Sequence, residues 1–590
     1  MRRTLSFILA FMLATCAFAR ADDASGVPPW STFGGGPSAY AFELDPAAPR
    51  GGGASLRIKA LEPGDQFGAA AWSVDATPYR GKRVRLDGEV KSTGAGSASL
   101  WLRIDGSTIG GFDNMTAQSG ADRALHGDHP WTPLQIEMDV PGDAMKLVFG
   151  DLLFGGGTMW STYPRVTVLG AAQSAAARDA KPAGTLDPAQ RAAVDAALRR
   201  DAVQLRTVDP EAPLDDLGAF DRDVASARIV GLGEASHGTA DFFRMKHRLF
   251  RDLVERHGVT VFAFEANLPE AHEMERYVTT GEGDPANALH SLKFWTWQTD
   301  EVLALAKWMR AYNAAPGKHA TLHFAGFDAQ YAGGAVDEIE RFASARSAAV
   351  GDAVKARYAC LPANNAVSAM SADAKRACGT SITAVAGLLA PLHPGADVAR
   401  DARVVEQYAA IALNDANGYA VNERDAAMAE NVVWLAETRY PGTKIALWAH
   451  NFHIAAQSAG AGMVTMGEHL RRHFGPAYVR VGFAFDRGTI TAGGGTVGTK
   501  NVAPAPPGTL ESVLNSIGPE LYLSLRTLRA GDPVAAWLDG GTLSREPGAV
   551  YSESNPAAYF AVTKARDRFD VLIFVAESHA SSLLAGARPR

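Results

Sequence analysis

The chain has 590 residues, of which 47% are hydrophobic and 21% are charged, as is typical of globular proteins with more than one hydrophobic core. Its 64 acidic residues outnumber its 57 basic ones, and the basic residues do not cluster into runs. Such a chain is not expected to bind nucleic acid. We therefore expect at least two domains and a partner other than DNA or RNA.

Residues 1–21 have the features of a secretory signal peptide. Two arginines precede an apolar run over residues 5–18, and a small-x-small cleavage pattern ends at Ala21. The run is short for a membrane span, and no later stretch is both long and uninterrupted, so we expect no transmembrane segment. Cleavage leaves 54 basic and 64 acidic residues, a formal charge of −10. The prediction is an exported protein, periplasmic or extracellular; a lipid anchor at Cys16 is the weaker alternative.

Residues 26–170 consist of short segments that alternate apolar and polar side chains, separated by Gly, Pro and Asp turns. Residues 55–59, 100–104 and 134–138 show this period of two. The pattern predicts an all-β domain, either a sandwich or a jelly roll. A glycan contact through tryptophans is one reading of this domain, and core packing is the favoured reading for most of them; the tryptophans are Trp72, Trp101, Trp131 and Trp160.

An Ala-rich stretch, residues 171–185, lacks large apolar side chains and is predicted to be an interdomain linker. Asp187-Pro188 then has the form of a helix cap followed by a first-turn proline. Residues 186–590 alternate strand-like and helical segments. This order predicts an α/β domain with a mainly parallel sheet flanked by helices.

Ionisable residues follow several of the apolar strands. Because the carboxyl ends of parallel strands meet at one edge of a sheet, these residues are expected to converge. Taken singly, each is more often a helix cap or a satisfied buried group than a catalyst, but their recurrence favours a shared site. The strands are residues 229–232, 259–264, 321–327 and 444–449, and the residues that follow them are Glu234, His237, Glu265, Asp328, His450 and His453.

Other segments extend this candidate site. Lys246, on the helix after His237, either approaches the same crevice or is a solvated helix lysine. Trp295 and Trp297 form either a hydrophobic substrate wall or part of the core. The Gly/Pro-rich residues 488–508 suggest a mobile flap.

Residues 351–441 are helical in pattern and predict a helical insertion over the strand ends. They contain Cys360 and Cys378, the two cysteines that remain after signal cleavage. In an exported protein such a pair predicts a disulfide, whereas two cysteines alone make a poor zinc site.

From residue 214 to residue 578 the sequence resembles the erythromycin esterase family. Taken together, the blocks that carry the resemblance are specific. They are residues 231–238 (GLGEASHG), 262–265 (FAFE), 324–328 (FAGFD) and 449–453 (AHNFH), with Arg424-Asp425, Met428-Ala429 and Met466-Gly467. The resemblance implies an α/β hydrolytic protein, and some family members open the lactone ring of macrolide antibiotics.

The resemblance also implies roles for individual residues. His237 would be the general base that activates water, with Glu234 and Glu265 orienting it, and no cofactor is expected. Lys246 stands where some members carry arginine, and it lacks the planar fork of a guanidinium. The residues expected to contact a small-molecule ester or lactone substrate are Lys246, Asp328, Arg424, His450, His453, Trp295 and Trp297.

Two alternatives remain open from the sequence. The first is a non-catalytic envelope protein that binds a glycan or a hydrophobic ligand. The second is a zinc enzyme whose ligands come from Glu234, His237, His450 and His453, joined by Glu265 or Asp328. The spacing of these residues is not that of a His-Glu-x-x-His helix. The sequence lacks a Gly-x-Ser-x-Gly elbow, so a serine acyl-enzyme is unsupported. We predict hydrolysis that needs no metal and rises with pH through a histidine-like pKa near 6 to 7.

Overall fold

A computed structural model of the chain describes residues 30–34, 39–50, 53–61, 66–106, 109–179, 184–317, 320–361, 370–414, 421–457, 463–494, 496–553 and 556–587. The predicted signal peptide and Cys16 lie outside the described residues. Within those ranges, none of the helices combines the length and the apolar character needed to cross a membrane.

The N-terminal part of the chain forms one ten-stranded sheet, in which every recorded strand pair is antiparallel. Its main strand order is β1-β4-β8-β5-β9-β3-β2, with β6, β7 and β10 also paired to β5. The strands are β1 (Ser31–Gly34), β2 (Tyr40–Arg50), β3 (Gly53–Ala60), β4 (Phe67–Asp75), β5 (Lys82–Asp105), β6 (Ile109–Asp113), β7 (Leu125–Asp139), β8 (Lys146–Phe154), β9 (Thr158–Ser161) and β10 (Arg165–Ala171).

The all-β character of this part is confirmed as one curled sheet, and the predicted sandwich or jelly roll is not confirmed. The cause is β5, a strand of 24 residues that pairs with β6, β7, β8, β9 and β10. Its register with β7 shifts at three points, and such irregularities bend and twist a strand. Sequence alternation predicts which side chains face inward. It does not show that one long strand pairs with five others in a curled sheet. Trp72 and Trp101 are buried as core residues, whereas Trp131 and Trp160 are partly exposed.

The predicted linker contains a short helix, α1 (Ala175–Asp179), and is followed by α2 (Pro188–Asp201). The side chain of Asp187 accepts a hydrogen bond from the backbone N–H of Gln190, and the Gln190 side chain bonds back to the N-cap backbone. This reciprocal capping box explains why α2 begins where the sequence predicts.

The C-terminal part of the chain forms a nine-stranded sheet with the main order β11-β18-β21-β16-β12-β15-β13-β14, and β17 pairs with β16. A small separate sheet pairs β19 with β20. The strands are β11 (Val203–Gln204), β12 (Ile229–Leu232), β13 (Val259–Asn267), β14 (His323–Asp328), β15 (Lys444–Trp448), β16 (Tyr478–Ala492), β17 (Gly498–Val502), β18 (Glu520–Ser524), β19 (Thr542–Arg545), β20 (Phe560–Thr563) and β21 (Val571–Ser578).

This sheet is mixed, so the predicted parallel order describes six of its nine strands and not the other three. Strands β14, β13, β15, β12, β16 and β21 run parallel to one another. The other three pairs are antiparallel: β11 with β18, β18 with β21, and β17 with β16. An apolar run predicts burial on both faces but not direction, so the antiparallel β18 could not be recognised. β16 continues to Ala492 and forms a hairpin with β17, so these residues are not an irregular loop, and their mobility stays a prediction.

Helices cover both faces of this sheet. Successive side chains of β12, β13 and β15 enter two different hydrophobic clusters: Val230, Phe262 and Trp448 enter one, and Ile229, Val261 and Ile445 enter the other. The remaining helices are α3 (Gly218–Val224), α4 (Ala240–His257), α5 (His272–Thr280), α6 (Pro285–Ser291), α7 (Asp300–Ala314), α8 (Gly333–Arg346), α9 (Ala348–Tyr358), α10 (Ala372–Thr383), α11 (Val385–Leu389), α12 (Ala396–Asn414), α13 (Val421–Trp434), α14 (Asn451–Ile454), α15 (Met466–Phe474), α16 (Leu510–Asn515), α17 (Pro533–Asp539) and α18 (Ala565–Arg568).

Helices α8 to α12 pack around a hydrophobic cluster of their own. We call these helices the helical layer; α9 to α12 lie largely within the predicted helical insertion. Cys360, after α9, is bonded to Cys378 in α10 with an S–S distance of 2.10 Å. The next helix, α13, carries Arg424 and packs against α15 and β14.

A small apolar contact joins the N-terminal and C-terminal parts of the chain. Met145 of the N-terminal part clusters with Ala505, Leu543 and Phe560 of the C-terminal part, and all four are buried. The indole N–H of Trp537 also donates to the carbonyl of Gly184.

Candidate active site

The first half of the candidate site lies in the turn between β12 and α4. Glu234 is completely buried there. Its Oε1 lies 2.7 Å from His237 Nδ1, and its Oε2 accepts hydrogen bonds from Lys246 Nζ at 2.6 Å and Trp448 Nε1 at 2.8 Å. A buried carboxylate with these donors is both satisfied and fixed in orientation.

Electrostatics keep this carboxylate ionised. Burial alone would raise the pKa of Glu234, but the positive charge of Lys246 and the hydrogen bond from His237 lower it below the ordinary value. Burial in turn lowers the pKa of Lys246 to about 8, although Glu234 opposes this shift. The ammonium also lies 4.5 Å from the centroid of the Trp448 ring. Lys246 is therefore an internal counter-ion of Glu234, with no exposed surface.

His237 has the geometry of a general base. Because Glu234 is ionised and acceptor-only, the hydrogen bond assigns the ring proton to Nδ1 and leaves the lone pair on Nε2. The backbone N–H of His237 donates to the carbonyl of Gly548, which fixes the turn. Its side chain is 13% exposed, so a small molecule can reach it.

The second half of the site is built around Arg424. Its Nη2 donates to Glu265 Oε1 and to Asp328 Oδ2, both at 2.6 Å, and its Nε donates to Asp328 at 3.1 Å. Glu265 Oε2 also accepts the backbone N–H of His450 at 2.9 Å. Burial opposes ionisation of Glu265, but the charges of His453 and Arg424 hold its pKa well below the usual range. The planar guanidinium thus ties the ends of β13 and β14 together.

His453 belongs to the same network. Its Nδ1 lies 2.9 Å from Asp425 Oδ1, and its Nε2 lies 3.3 Å from Glu265 Oε1. Burial favours the neutral ring, yet Asp425 and Glu265 outweigh burial and the repulsion of Arg424 and raise the pKa of His453 to about 9. A pKa above neutrality favours the imidazolium form of His453, although its Nε2 also lies 3.1 Å from Arg424 Nη1.

His450 lies between the two halves. Its Nδ1 accepts the backbone N–H of Phe452, and its Nε2 lies 3.2 Å from the carbonyl of Ala235. The centroids of the His450 and His237 rings are 5.1 Å apart. Burial and the neighbouring His237 lower the pKa of His450 to about 4, so this ring is neutral at pH 7.

The two predicted tryptophans lie in a 3₁₀ helix, Trp295–Trp297, and both are nearly buried. Trp297 Nε1 donates to the carbonyl of Glu265, and its ring makes an edge contact with His237 at 6.3 Å between centroids. Trp297 also packs against Phe264 and Trp448. It therefore supports the base from the core side, and direct substrate contact by either tryptophan remains a prediction.

The structure thus brings the predicted strand-end residues together at one edge of the sheet, in two linked networks. Sequence reasoning missed Trp448, Asp425 and Gly548 as parts of the site. Asp425 stands next to Arg424 and could have been found, and Trp448 ends the apolar strand before His450. Gly548 lies more than 300 residues after His237, and no local pattern marks it.

The zinc alternative meets a geometric obstacle. Both oxygens of Glu234 and both of Glu265 already accept protein donors. Within the described ranges, the strand-end histidines and carboxylates do not bring three ligand atoms within 4.8 Å of one another. The geometry favours a base mechanism, and metal-independent activity remains a prediction.

Two cavities lie away from this site. One, of about 380 Å³, is lined by Leu525, Asp567 and Asp570 and lies at the start of β21, the opposite sheet edge. The other, of about 490 Å³, lies on the N-terminal sheet beside Asp113 and Arg123. We place the chemistry at the strand ends because the ionised acid–histidine networks lie there and do not line these two cavities.

The fold and the site define an α/β protein whose ionisable side chains meet where the strands end. The chain belongs to the erythromycin esterase family: the family model described as "Erythromycin esterase" matches residues 254–578. The match begins within α4, so it leaves out Glu234, His237 and Lys246, which the geometry joins to the matched residues. Family membership supports a hydrolase.

Two curated relatives agree with this assignment. "Erythromycin esterase type II" of Escherichia coli is 31% identical over 125 residues, 21% of this chain and 29% of that protein. A protein named "Putative hydrolase YbfO", of Bacillus subtilis (strain 168), is 22% identical over 353 residues, 52% of this chain and 77% of that protein. The alignment thus spans less than a third of the E. coli enzyme, whose activity cannot be transferred whole.

Solved structures share the fold. A Bacillus cereus protein is 24% identical with a TM-score of 0.60, covering 67% of this chain and 99% of that one. A succinoglycan biosynthesis protein is 23% identical with a TM-score of 0.59, covering 68% and 100%. A mutant erythromycin esterase in its open conformation is 19% identical with a TM-score of 0.50, covering 64% and 97%. At these identities the similarity shows the fold alone.

Proposed function

We propose that this protein is an exported hydrolase that cleaves a carboxylic ester or lactone with a water molecule activated by His237. The observation that carries the proposal is the contact of 2.7 Å between His237 Nδ1 and the buried, ionised Glu234. Export rests on the signal-peptide pattern of residues 1–21.

In the proposed reaction, His237 Nε2 takes a proton from water while the water oxygen attacks the substrate carbonyl. Glu234 holds the reactive tautomer and stabilises the imidazolium that forms. The tetrahedral intermediate then collapses, and His237 returns the proton to the leaving alkoxide. Arg424 and the imidazolium of His453 lie at the same edge and supply positive potential for the oxyanion.

The substrate class follows from this chemistry and from the family. Uncharged carbonyl compounds suit a base with cationic neighbours, and one relative is named an erythromycin esterase, so a macrolide lactone ring is a candidate substrate. Lys246 contributes through Glu234 and does not contact the substrate in this proposal, because it is fully buried.

The test is turnover on a panel of macrolides and aryl esters by the purified protein and its His237→Ala variant. General-base removal typically costs about 10²–10⁴-fold in rate. The matched control is His323→Ala: His323 also pairs with a glutamate at 2.7 Å, Glu275, but it lies at the first residue of β14, away from the strand ends.

We expect hydrolysis of at least one panel compound, lost in His237→Ala and kept in His323→Ala. If no compound is hydrolysed while one still raises the melting temperature, the proposal is wrong and a ligand-binding function replaces it. A glycan added to the same panel tests whether the N-terminal sheet is the binding part.

A further inference from the structure

A second group of ionisable residues lies where α3 meets the C-terminal end of α4. Asp221 lies on α3, and Asp252 and His257 lie in the last two turns of α4. One ligand atom from each lies within 4.8 Å of the other two. The candidate active site precedes the opposite end of the same helix, so this group is separate from it.

The distances suit a single small cation. His257 Nε2 lies 2.8 Å from Asp221 Oδ1 and 3.8 Å from Asp252 Oδ2. A tetrahedral zinc ion with bonds of about 2.1 Å would place its ligand atoms about 3.4 Å apart. The two distances bracket this value, and the third separation, between the carboxylate oxygens, is within 4.8 Å.

Arg256 holds the outer oxygens of both carboxylates. Its Nη1 lies 2.8 Å from Asp221 Oδ2 and 3.0 Å from Asp252 Oδ1. The inner oxygens, Asp221 Oδ1 and Asp252 Oδ2, are the ones that face His257. The hydrogen bond from Arg256 to Asp221 is the kind of contact that commonly orients a ligating carboxylate.

The buried state of Asp252 is an independent indication of a ligand. Its side chain has no exposed surface, and among the described residues neither of its oxygens accepts a hydrogen bond from a nitrogen donor. The approach of Arg256 is an ion pair without hydrogen-bond geometry. A buried carboxylate is costly unless it is paired and hydrogen-bonded or coordinates a metal. The partial negative charge at the end of α4 also favours a cation.

We propose that Asp221, Asp252 and His257 bind one divalent cation, with zinc as the best match to two carboxylates and an imidazole. Three protein ligands leave the fourth position for water. The two carboxylates balance the charge of the ion, and Arg256 keeps their orientation. The bound ion would tie α3 to the end of α4 and so stabilise the fold without taking part in the hydrolysis.

The experiment measures zinc binding to full-length protein that has been stripped with a chelator and desalted. We expect calorimetric titration with zinc chloride to show one equivalent per chain and excess zinc to raise the melting temperature by several degrees. Asp252→Asn, nearly isosteric, should weaken binding at least tenfold. His257→Gln should do the same, and it serves as the second variant if Asp252→Asn does not fold.

Two controls locate the ion. His473→Gln removes a half-exposed histidine that pairs with Glu437, and it should leave the titration unchanged. His237→Ala should also keep the full equivalent. The proposal is overturned if no equivalent binds, if Asp252→Asn and His257→Gln bind zinc like the wild type, or if His237→Ala abolishes binding, which would place zinc at the strand ends.

Discussion

At the scale of single residues, the candidate site depends on how Glu234 is surrounded. Its two oxygens receive His237 on one side and Lys246 with Trp448 on the other. Lys246 is thus a fully buried partner of Glu234, and its lack of a planar fork bears on this contact. The planar fork at this site is supplied by Arg424 from another helix.

We predict that the free energy of unfolding depends on pH through the charge of His453. The pKa of His453 is raised to about 9 in the folded protein, above the value of about 6.5 in an unfolded chain. The stabilisation by its imidazolium is therefore fully present below about pH 6.5 and is lost as the pH rises through about 9. We expect a loss on the order of 2–3 kcal/mol across this window.

Urea unfolding of the wild type and of His453→Gln at several pH values measures this effect. The difference between the two free energies of unfolding should shrink as the pH rises through the window, because only the wild type releases this proton. The difference also removes the contributions of Lys246 and other groups, which both proteins share. A difference that stays constant from about pH 6 to about pH 9.5 would show that His453 is not charged in the fold.

Several site residues could be predicted from sequence because each directly follows a buried apolar strand. Glu265 and Asp328 end or directly follow such runs, and the parallel pairing of β13 with β14 brings them to Arg424. Gly548 and Trp448 could not be predicted as site residues, because their roles arise from a carbonyl and an indole N–H placed by tertiary packing.

At the scale of elements, the disulfide Cys360–Cys378 links the end of α9 to α10 in the helical layer. Cys378 is buried in the hydrophobic cluster of α8 to α12, and Cys360 packs against it. We predict that the pair is oxidised in the exported protein and that the closed loop, with a sequence separation of 18, contributes about 3 kcal/mol of stability.

Mass spectrometry of unreduced protein from the oxidising compartment should find a single linked peptide pair and no free thiol after cleavage. Reduction with dithiothreitol should then lower the melting temperature. Two alkylatable thiols in that preparation would contradict the prediction.

Sequence patterns predict local features of helices and strands better than they predict strand pairing. The cap of α2 at Asp187 is local chemistry, and the sequence predicts it at its correct position. The direction of β18 and the pairing of β16 with β17 depend on partners distant in the chain, and glycine-rich composition alone suggested a flap where the structure has a hairpin.

At the scale of the whole molecule, the N-terminal sheet is predicted to be dispensable for the chemistry. Every candidate catalytic residue lies in the C-terminal part, and the apolar contact between the parts centres on Met145. A truncated protein that begins at about residue 184 keeps the Trp537 bond to Gly184. We expect its kcat on a small ester to stay within a few-fold of the full chain.

The truncated protein must first show an intact fold by circular dichroism and a cooperative melt. A modest fall in melting temperature is expected, because Ala505, Leu543 and Phe560 lose an apolar neighbour. A well-folded but inactive truncated protein would show that the N-terminal sheet contributes to the site.

The measurement that tests the central claim most directly is kcat on the best panel substrate for the wild type, His237→Ala and Glu234→Gln, each with and without chelator at a temperature well below melting. We expect wild-type activity to survive chelation. We expect kcat to be about 10²–10⁴-fold lower for His237→Ala and also lower for Glu234→Gln. Wild-type activity that chelator abolishes and added metal restores, or a His237→Ala variant as fast as the wild type, would contradict it.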